Sequence, residues 1–219
     1  MEFVVQRLHA RLTPGQYLTA GSKAAVHSFQ GTWDSGCALH CCAGLLTILG
    51  YIANPAAVSW RKRGLEADFW NRAAPLYFTG ATLVEAADII RESSQWSLRP
   101  AVFEGAHRDV LDFCERELSR GRLVIVSWRP VGEPFRHAVQ VIGTEGRMQG
   151  HRFQPYALLI LDPAERDALM ATCNARLNYA NAASGKRVRY GTYITARDTF
   201  SVVLDGAVSI REGRASKPP

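Results

Sequence analysis

"GTWDSGCALHCCAGLL", residues 31–46, sets a polar turn ending in Ser-Gly-Cys against an apolar run that continues to Gly50. The run "CALHCCAGLLTILG" (37–50) has Asp34 and Ser35 ahead of it as N-cap residues and a glycine stop behind it, which predicts a helix sunk in the core. A thiol at the start of such a helix gains from unpaired backbone N–H groups and the positive end of the dipole, both of which favour thiolate. The stretch therefore reads as a nucleophile elbow with two competing side chains, Ser35 and Cys37. Residues two apart on a helix point about 200° away from each other, so only one of them can face a given partner.

Working outward, further helices are expected over 56–62, 66–74 and 81–93, the last with Leu83, Ala86, Ala87 and Ile90 on one face. Residues 107–120 place Val110, Leu111, Cys114 and Leu118 on one stripe, closed by Gly121. After Gly121 the period changes to an extended one. "RLVIVSW" (122–128), "HAVQVIG" (137–143), "YALLILD" (156–162), "TFSVVL" (199–204) and "AVSIRE" (207–212) are rich in β-branched residues and bounded by turn formers. Helices first and strands afterwards predict an α+β architecture, with N-terminal helices packed on a C-terminal antiparallel sheet. No linker or repeat interrupts the chain, so residues 1–212 read as one domain and 213–219 as a frayed tail.

With 219 residues and 47% hydrophobic composition the chain can bury a core of its own. The 26 Lys and Arg against 20 Asp and Glu give a net charge of +6, but the basic residues are scattered and form no stripe, so nucleic acid is not an expected partner. "WRKRG" (60–64) reads as a solvated helix face rather than a partner surface. No apolar stretch approaches the roughly 18 residues of a membrane span, and "MEFVVQRLHARL" is charged too early for a signal peptide. Five cysteines, three of them crowded at Cys37, Cys41 and Cys42, argue against a disulfide framework and for a reducing, cytoplasmic setting.

No cofactor is expected. "GTEGRMQG" (143–150) lacks the ending of a phosphate loop, and Cys37, His40 and Cys41 lack the second ligand pair of a structural zinc site. The residues that could carry chemistry are elsewhere. If "RHAVQVIG" and "ALLILDP" pair as a hairpin across a loop at 144–155, a symmetric register puts His137 opposite Asp162 on one face. A carboxylate so placed fixes the tautomer and orientation of a catalytic imidazole. Gln30 could donate its side-chain amide to an oxyanion, with the N–H of the nucleophile as second donor.

Taken in order, these segments resemble a known family. "QGTWDSGCAL" is similar to the Gln...Asp-Cys-Gly-x-Ala signature of the bacteriocin-processing cysteine peptidases, papain-like enzymes that remove double-glycine leader peptides, and of their wider relatives. "GRLVIVSW", "RHAVQVIG" and "LLILDP" resemble the strand before the histidine, the histidine strand and the Asp-Pro strand. "DTFSVVLDGAVSI" resembles the closing segment, with Leu204 where that family has Trp. The resemblance spans roughly residues 25–212 and implies a papain-like fold and thiol-type hydrolysis of a peptide bond in a peptide or protein substrate, a leader-bearing precursor for instance. It aligns Asp34, Gly36 and Ala38 so that Ser35 falls at the nucleophile position, making Cys37 a small packing residue, with Cys37 as nucleophile the rival. A serine there would mark an inactivated cysteine enzyme, a peptide-binding pseudo-enzyme or a serine nucleophile. An acyl transferase shares the same set, His137, Asp162 and Gln30, and differs only in the acceptor.

Overall fold

The computed structural model describes residues 2–21, 24–59, 61–92 and 97–213. Along the chain run β1 (Glu2–Leu8), β2 (Leu12–Thr13), β3 (Thr19–Ala20), β4 (Ala24–Ala25), α1 (Cys37–Ile48), α2 (Leu65–Ala73), α3 (Leu83–Glu92), β5 (Leu98–Glu104), α4 (His107–Ser119), β6 (Leu123–Pro130), β7 (His137–Gln149), β8 (Arg152–Leu161), β9 (Ala175–Ala180), β10 (Arg187–Thr195) and β11 (Thr199–Glu212). Of the helix expected at 56–62, the described residues hold a 3-10 turn at Pro55–Ala57, and Trp60 lies outside them. The tail at 214–219 also lies outside the described residues.

The expectation of a papain-like α+β architecture, with N-terminal helices packed on a C-terminal antiparallel sheet, is overturned. The sheet dominates and closes on itself. Neighbouring strands run β7-β6-β11-β10-β9-β8, and β8 pairs again with β7, making a six-stranded antiparallel barrel. Strand β1 adds to β7, strand β5 adds to β11, and β2, β3 and β4 form a separate small sheet. The physical reason lies in β9 and β10, which bridge β8 to β11 and leave the barrel no open edge at that seam. The two closing segments read as separate strands form one, β11, with a bulge between Leu204 and Gly206.

Alternation along the strands separates two apolar clusters. Val124, Val126 and Trp128 of β6, Val139 and Val141 of β7, Leu158 and Ile160 of β8, Leu177 and Tyr179 of β9, Tyr193 of β10 and Val202 and Leu204 of β11 fill the barrel interior. Helix α4 joins the same cluster through Val110, Leu111, Phe113 and Cys114. The opposite faces of β6, β7 and β11, carrying Leu123, Ile125, Ala138, Ile142, Val208 and Ile210, pack with α1 and α3 in the second cluster.

Helix α1 is buried all round. Ten of its residues, Ala38 to Ile48 apart from His40, are sequestered, which is why its sequence shows an apolar run instead of an amphipathic stripe. Each buried leucine there is worth about 1.5–3 kcal/mol relative to exposure. Gly44 permits the close approach: a Cβ at that position would lie 2.7 Å from both the Val26 carbonyl oxygen and Gln140 Oε1.

Candidate active site

The N-terminus of α1 rests against the first residues of β7. Its N-cap is Gly36, which offers no side chain to the first turn, so neither Asp34 nor Ser35 caps the helix in the expected way. Asp34 instead ties the loop ahead of it. Its Oδ1 accepts the Gly36 N–H at 3.0 Å, and its Oδ2 accepts the Gly31 N–H at 2.7 Å and the Tyr77 hydroxyl at 3.1 Å. His40, on the same turn of α1 as Cys37, reaches back to this loop: Nδ1 lies 2.7 Å from Ser28 Oγ and Nε2 lies 3.6 Å from Asp34 Oδ1.

Cys37 is the first residue of α1, and its Sγ accepts the Ala138 N–H at 3.5 Å. Burial by itself would raise the thiol's pKa, but a hydrogen bond and charge attraction from His137, with backbone N–H groups of Ala138 and Ala38, outweigh it and hold the thiol below its usual range. Ser35 lies outside the helix, is exposed, and is held by its backbone N–H on the Tyr77 carbonyl at 3.1 Å. The structure thus brings Cys37, not Ser35, to the imidazole. The two never compete as residues of one helix, because the helix begins after both Ser35 and Gly36.

His137 is buried, and its Nε2 sits 2.7 Å from Asp162 Oδ1, which leaves Nδ1 uncommitted to that carboxylate. Burial opposes the charged ring, yet the hydrogen bonds and charges of Asp162 and Cys37 raise its pKa to about 9. Burial likewise works against ionised Asp162, and the bonds from His137, Tyr193 and the Ala164 N–H bring its pKa below the ordinary value. A lowered thiol beside a raised imidazole favours the thiolate–imidazolium pair. The other four cysteines behave oppositely: burial pushes Cys42 up to about 12 and also raises Cys41, Cys114 and Cys173.

The hairpin that joins His137 to Asp162 is longer and shifted relative to expectation. The strands continue to Gln149 and Arg152 around a tight turn with Gly150 at φ 58°. Gln140 pairs with Leu161, so Asp162 falls one step beyond the last pair, beside Val139 and diagonal to His137. The shift is two residues, and an even shift keeps both side chains on one face. That face is the interior one, and the pair occupies the barrel rim.

Gln30 is anchored by its N–H on the Pro163 carbonyl at 2.7 Å, and its Nε2 donates to the Asp34 carbonyl at 2.8 Å. An amide nitrogen carries two hydrogens, so one remains for another acceptor. Gln30, Asp34, Ser35, Cys37 and His137 all line one cleft of about 610 Å³, shared with Gly80, Glu104, Phe135, Arg136, Asp205 and Gly206.

Three neighbours of the His–Asp pair were not singled out from sequence. Trp128, paired with His137 across β6 and β7, sets its ring edge-on to the imidazole at 5.5 Å. Tyr193 donates its hydroxyl to Asp162 Oδ2 at 2.6 Å. Asn174 accepts the Asp162 N–H at 2.7 Å and donates to its carbonyl at 2.9 Å. The alternation in "RYGTYIT" (189–195) is the signal that could have placed Tyr193 on a strand. Among the described residues no cluster of three His, Cys, Asp or Glu side chains is arranged to hold a metal ion, and no helix is long and apolar enough to cross a membrane.

No family model matches the chain, so the resemblance to bacteriocin-processing peptidases has no such match behind it. No curated protein matches it either. Among solved structures the chain is similar to the crystal structure of UfSP from C. elegans, at 16% identity and a TM-score of 0.43, over 99% of this chain and 38% of that one.

Proposed function

We propose that the chain is a cysteine-dependent peptidase that hydrolyses a peptide bond in a peptide or protein substrate. The observation that carries the reading is the convergence of Cys37 and His137 on one cleft, with buried Asp162 bonded to His137 behind it, the thiol's pKa lowered and the imidazole's raised. In the proposed cycle the Cys37 thiolate attacks the scissile carbonyl carbon. The imidazolium of His137 then gives its proton to the departing amine as the carbon–nitrogen bond breaks, leaving a thioester on Cys37. Water, deprotonated by His137, attacks that thioester and releases the acid. Asp162 keeps the ring in the tautomer and orientation that both transfers need. Gln30 Nε2 and the Cys37 N–H are the proposed donors to the oxyanion.

The pseudo-enzyme alternative rested on serine as the reacting residue, and with Cys37 in that role it loses its premise. The peptidase reading is tested with a fluorogenic peptide-amide library and mass spectrometry of the products. Hydrolysis by the wild-type chain and by Ser35→Ala, with none by Cys37→Ala, is the expected pattern. Turnover that survives Cys37→Ala but not Ser35→Ala would overturn the assignment. Adducts with added amines in place of acids would move the reaction to acyl transfer.

A further inference from the structure

We infer that Tyr193 is a positioning residue of this site, holding the Asp162 carboxylate in the orientation that presents Oδ1 to His137. The inference rests on the reading of Cys37, His137 and Asp162 as a catalytic set. Tyr193 comes from β10, across the barrel interior from β7, and only 1% of it is exposed. Its hydroxyl donates to Asp162 Oδ2 at 2.6 Å, while His137 Nε2 and the Ala164 N–H, at 2.7 and 2.8 Å, share Oδ1. With both oxygens engaged, the carboxylate cannot turn without breaking a buried charge-assisted bond. Without the phenol, Oδ2 has lost that donor and the carboxylate can turn away from the imidazole.

The ring of Tyr193 acts on the same pair by a second route. It lies 4.5 Å from the ring of Trp128, which in turn sets its edge against His137 at 5.5 Å. A buried tyrosine needs an acceptor somewhere, so a hydrogen bond alone would be unremarked. Here the acceptor is the one carboxylate that holds the imidazole. The charged and titratable groups around Asp162 are His137 on β7, Cys37 and Cys41 on α1, Tyr193 on β10, His27 at its carbonyl, and Glu165 and Arg197 on the loops beyond β8 and β10. Burial and the negative charge of Asp162 keep the Tyr193 phenol protonated, so it remains a donor throughout the working range.

The test uses the full chain and iodoacetamide, with alkylation of Cys37 followed by peptide mass spectrometry as a function of pH. Wild type is expected to show a reactive limb well below the ordinary thiol range, and His137→Ala is expected to lose it. In Tyr193→Phe the Asp162 carboxylate turns away from the imidazole and stabilises the imidazolium less, so the limb moves up by about one pH unit, the size expected for one lost bond to a buried charge. The double variant with Asp162→Asn adds little to the shift of Asp162→Asn alone, because the tyrosine acts through that carboxylate. A folded Tyr193→Phe with an unmoved limb overturns the inference and leaves the peptidase reading standing. A wild-type limb that His137→Ala does not change overturns that reading and this inference together. Should Tyr193→Phe fail to fold, wild type still decides: a slowly exchanging phenol proton in the NMR spectrum, lost in Asp162→Ala, is required, and its absence sinks the inference.

Discussion

The two ends of the barrel use the same pair of groups for different ends. At the rim that meets α1, buried Tyr193 donates to Asp162, and the carboxylate's other oxygen faces an imidazole. At the end closed by α4, buried Tyr179 donates to Glu115, and that carboxylate's other oxygen faces Arg187 at 2.6 Å. Nearby, Glu117, fully sequestered, accepts from Ser209, Arg122 and Arg211. Arginine keeps its charge at every working pH, so the α4 end is a fixed ionic clasp. Histidine exchanges its proton, so the same arrangement at the other rim stays chemically responsive.

The comparison is broken most directly at the responsive rim. Asp162→Asn is expected to lower peptide hydrolysis by about a hundredfold to ten-thousandfold, since the amide favours the wrong tautomer of His137. Burial lowers the basicity of that ring and Asp162 raises it. In the variant the His137 titration, now at about 9, therefore falls by more than one unit, as ¹H–¹⁵N NMR can read. The sign follows for stability as well. A histidine raised in the folded state stabilises fully below its unfolded value and loses that contribution as pH rises through about 9, so wild type but not the variant should soften over that interval.

The α4 end should answer in stability alone. Glu117→Gln is expected to cost about 1–2 kcal/mol in urea unfolding at neutral pH, discounted because Arg122 and Arg211 reach solvent. The pKa of Glu117 is lowered to about 2, so its contribution is present above the unfolded carboxylate value and fades as pH falls toward 2. The variant should show a flatter acid limb. Glu115→Gln is expected to cost about 1 kcal/mol and to leave the pH profile of Cys37 alkylation unmoved, because its arginine partner does not touch the thiol. An altered Cys37 profile in that variant would join the two ends and end the contrast.

The smallest effect sharpens the contrast between thiols. Cys114, buried at the α4 end with its pKa raised, should resist iodoacetamide in the folded chain at a pH where Cys37 reacts, and become labelled only on unfolding. Equal labelling of both in folded protein would count against the difference in their environments.

Much of the site could be read from local pattern. The helix starting at Cys37, the strand starting at His137 and the strand ending before Asp162 are strong apolar runs with turn formers at their ends. Their face survived an error in register because side chains alternate with period two and the error was two. What escaped were β9 and β10. "ARLNYA" and "RVRYGTYIT" place Leu177, Tyr179 and Tyr193 inward, but the intervening arginines, asparagine and glycine break any apolar run. Gly191 is small for a packing reason, since a Cβ there would meet Leu177 Cδ1 at 2.6 Å.

By itself the amino-acid order determined that a buried helix would occupy the Cys-rich run 37–50, that apolar antiparallel strands would follow, and that His137 and Asp162 could share a face, because these are consequences of short-range periodicity. Only the tertiary structure decided the rest. The loop clasped by Asp34 starts the helix after Ser35 and delivers Cys37 to the imidazole, and the closure of β9 and β10 brings Tyr193 to Asp162. Contacts between residues far apart in the chain depend on how strands close and loops are held, and no local pattern encodes them.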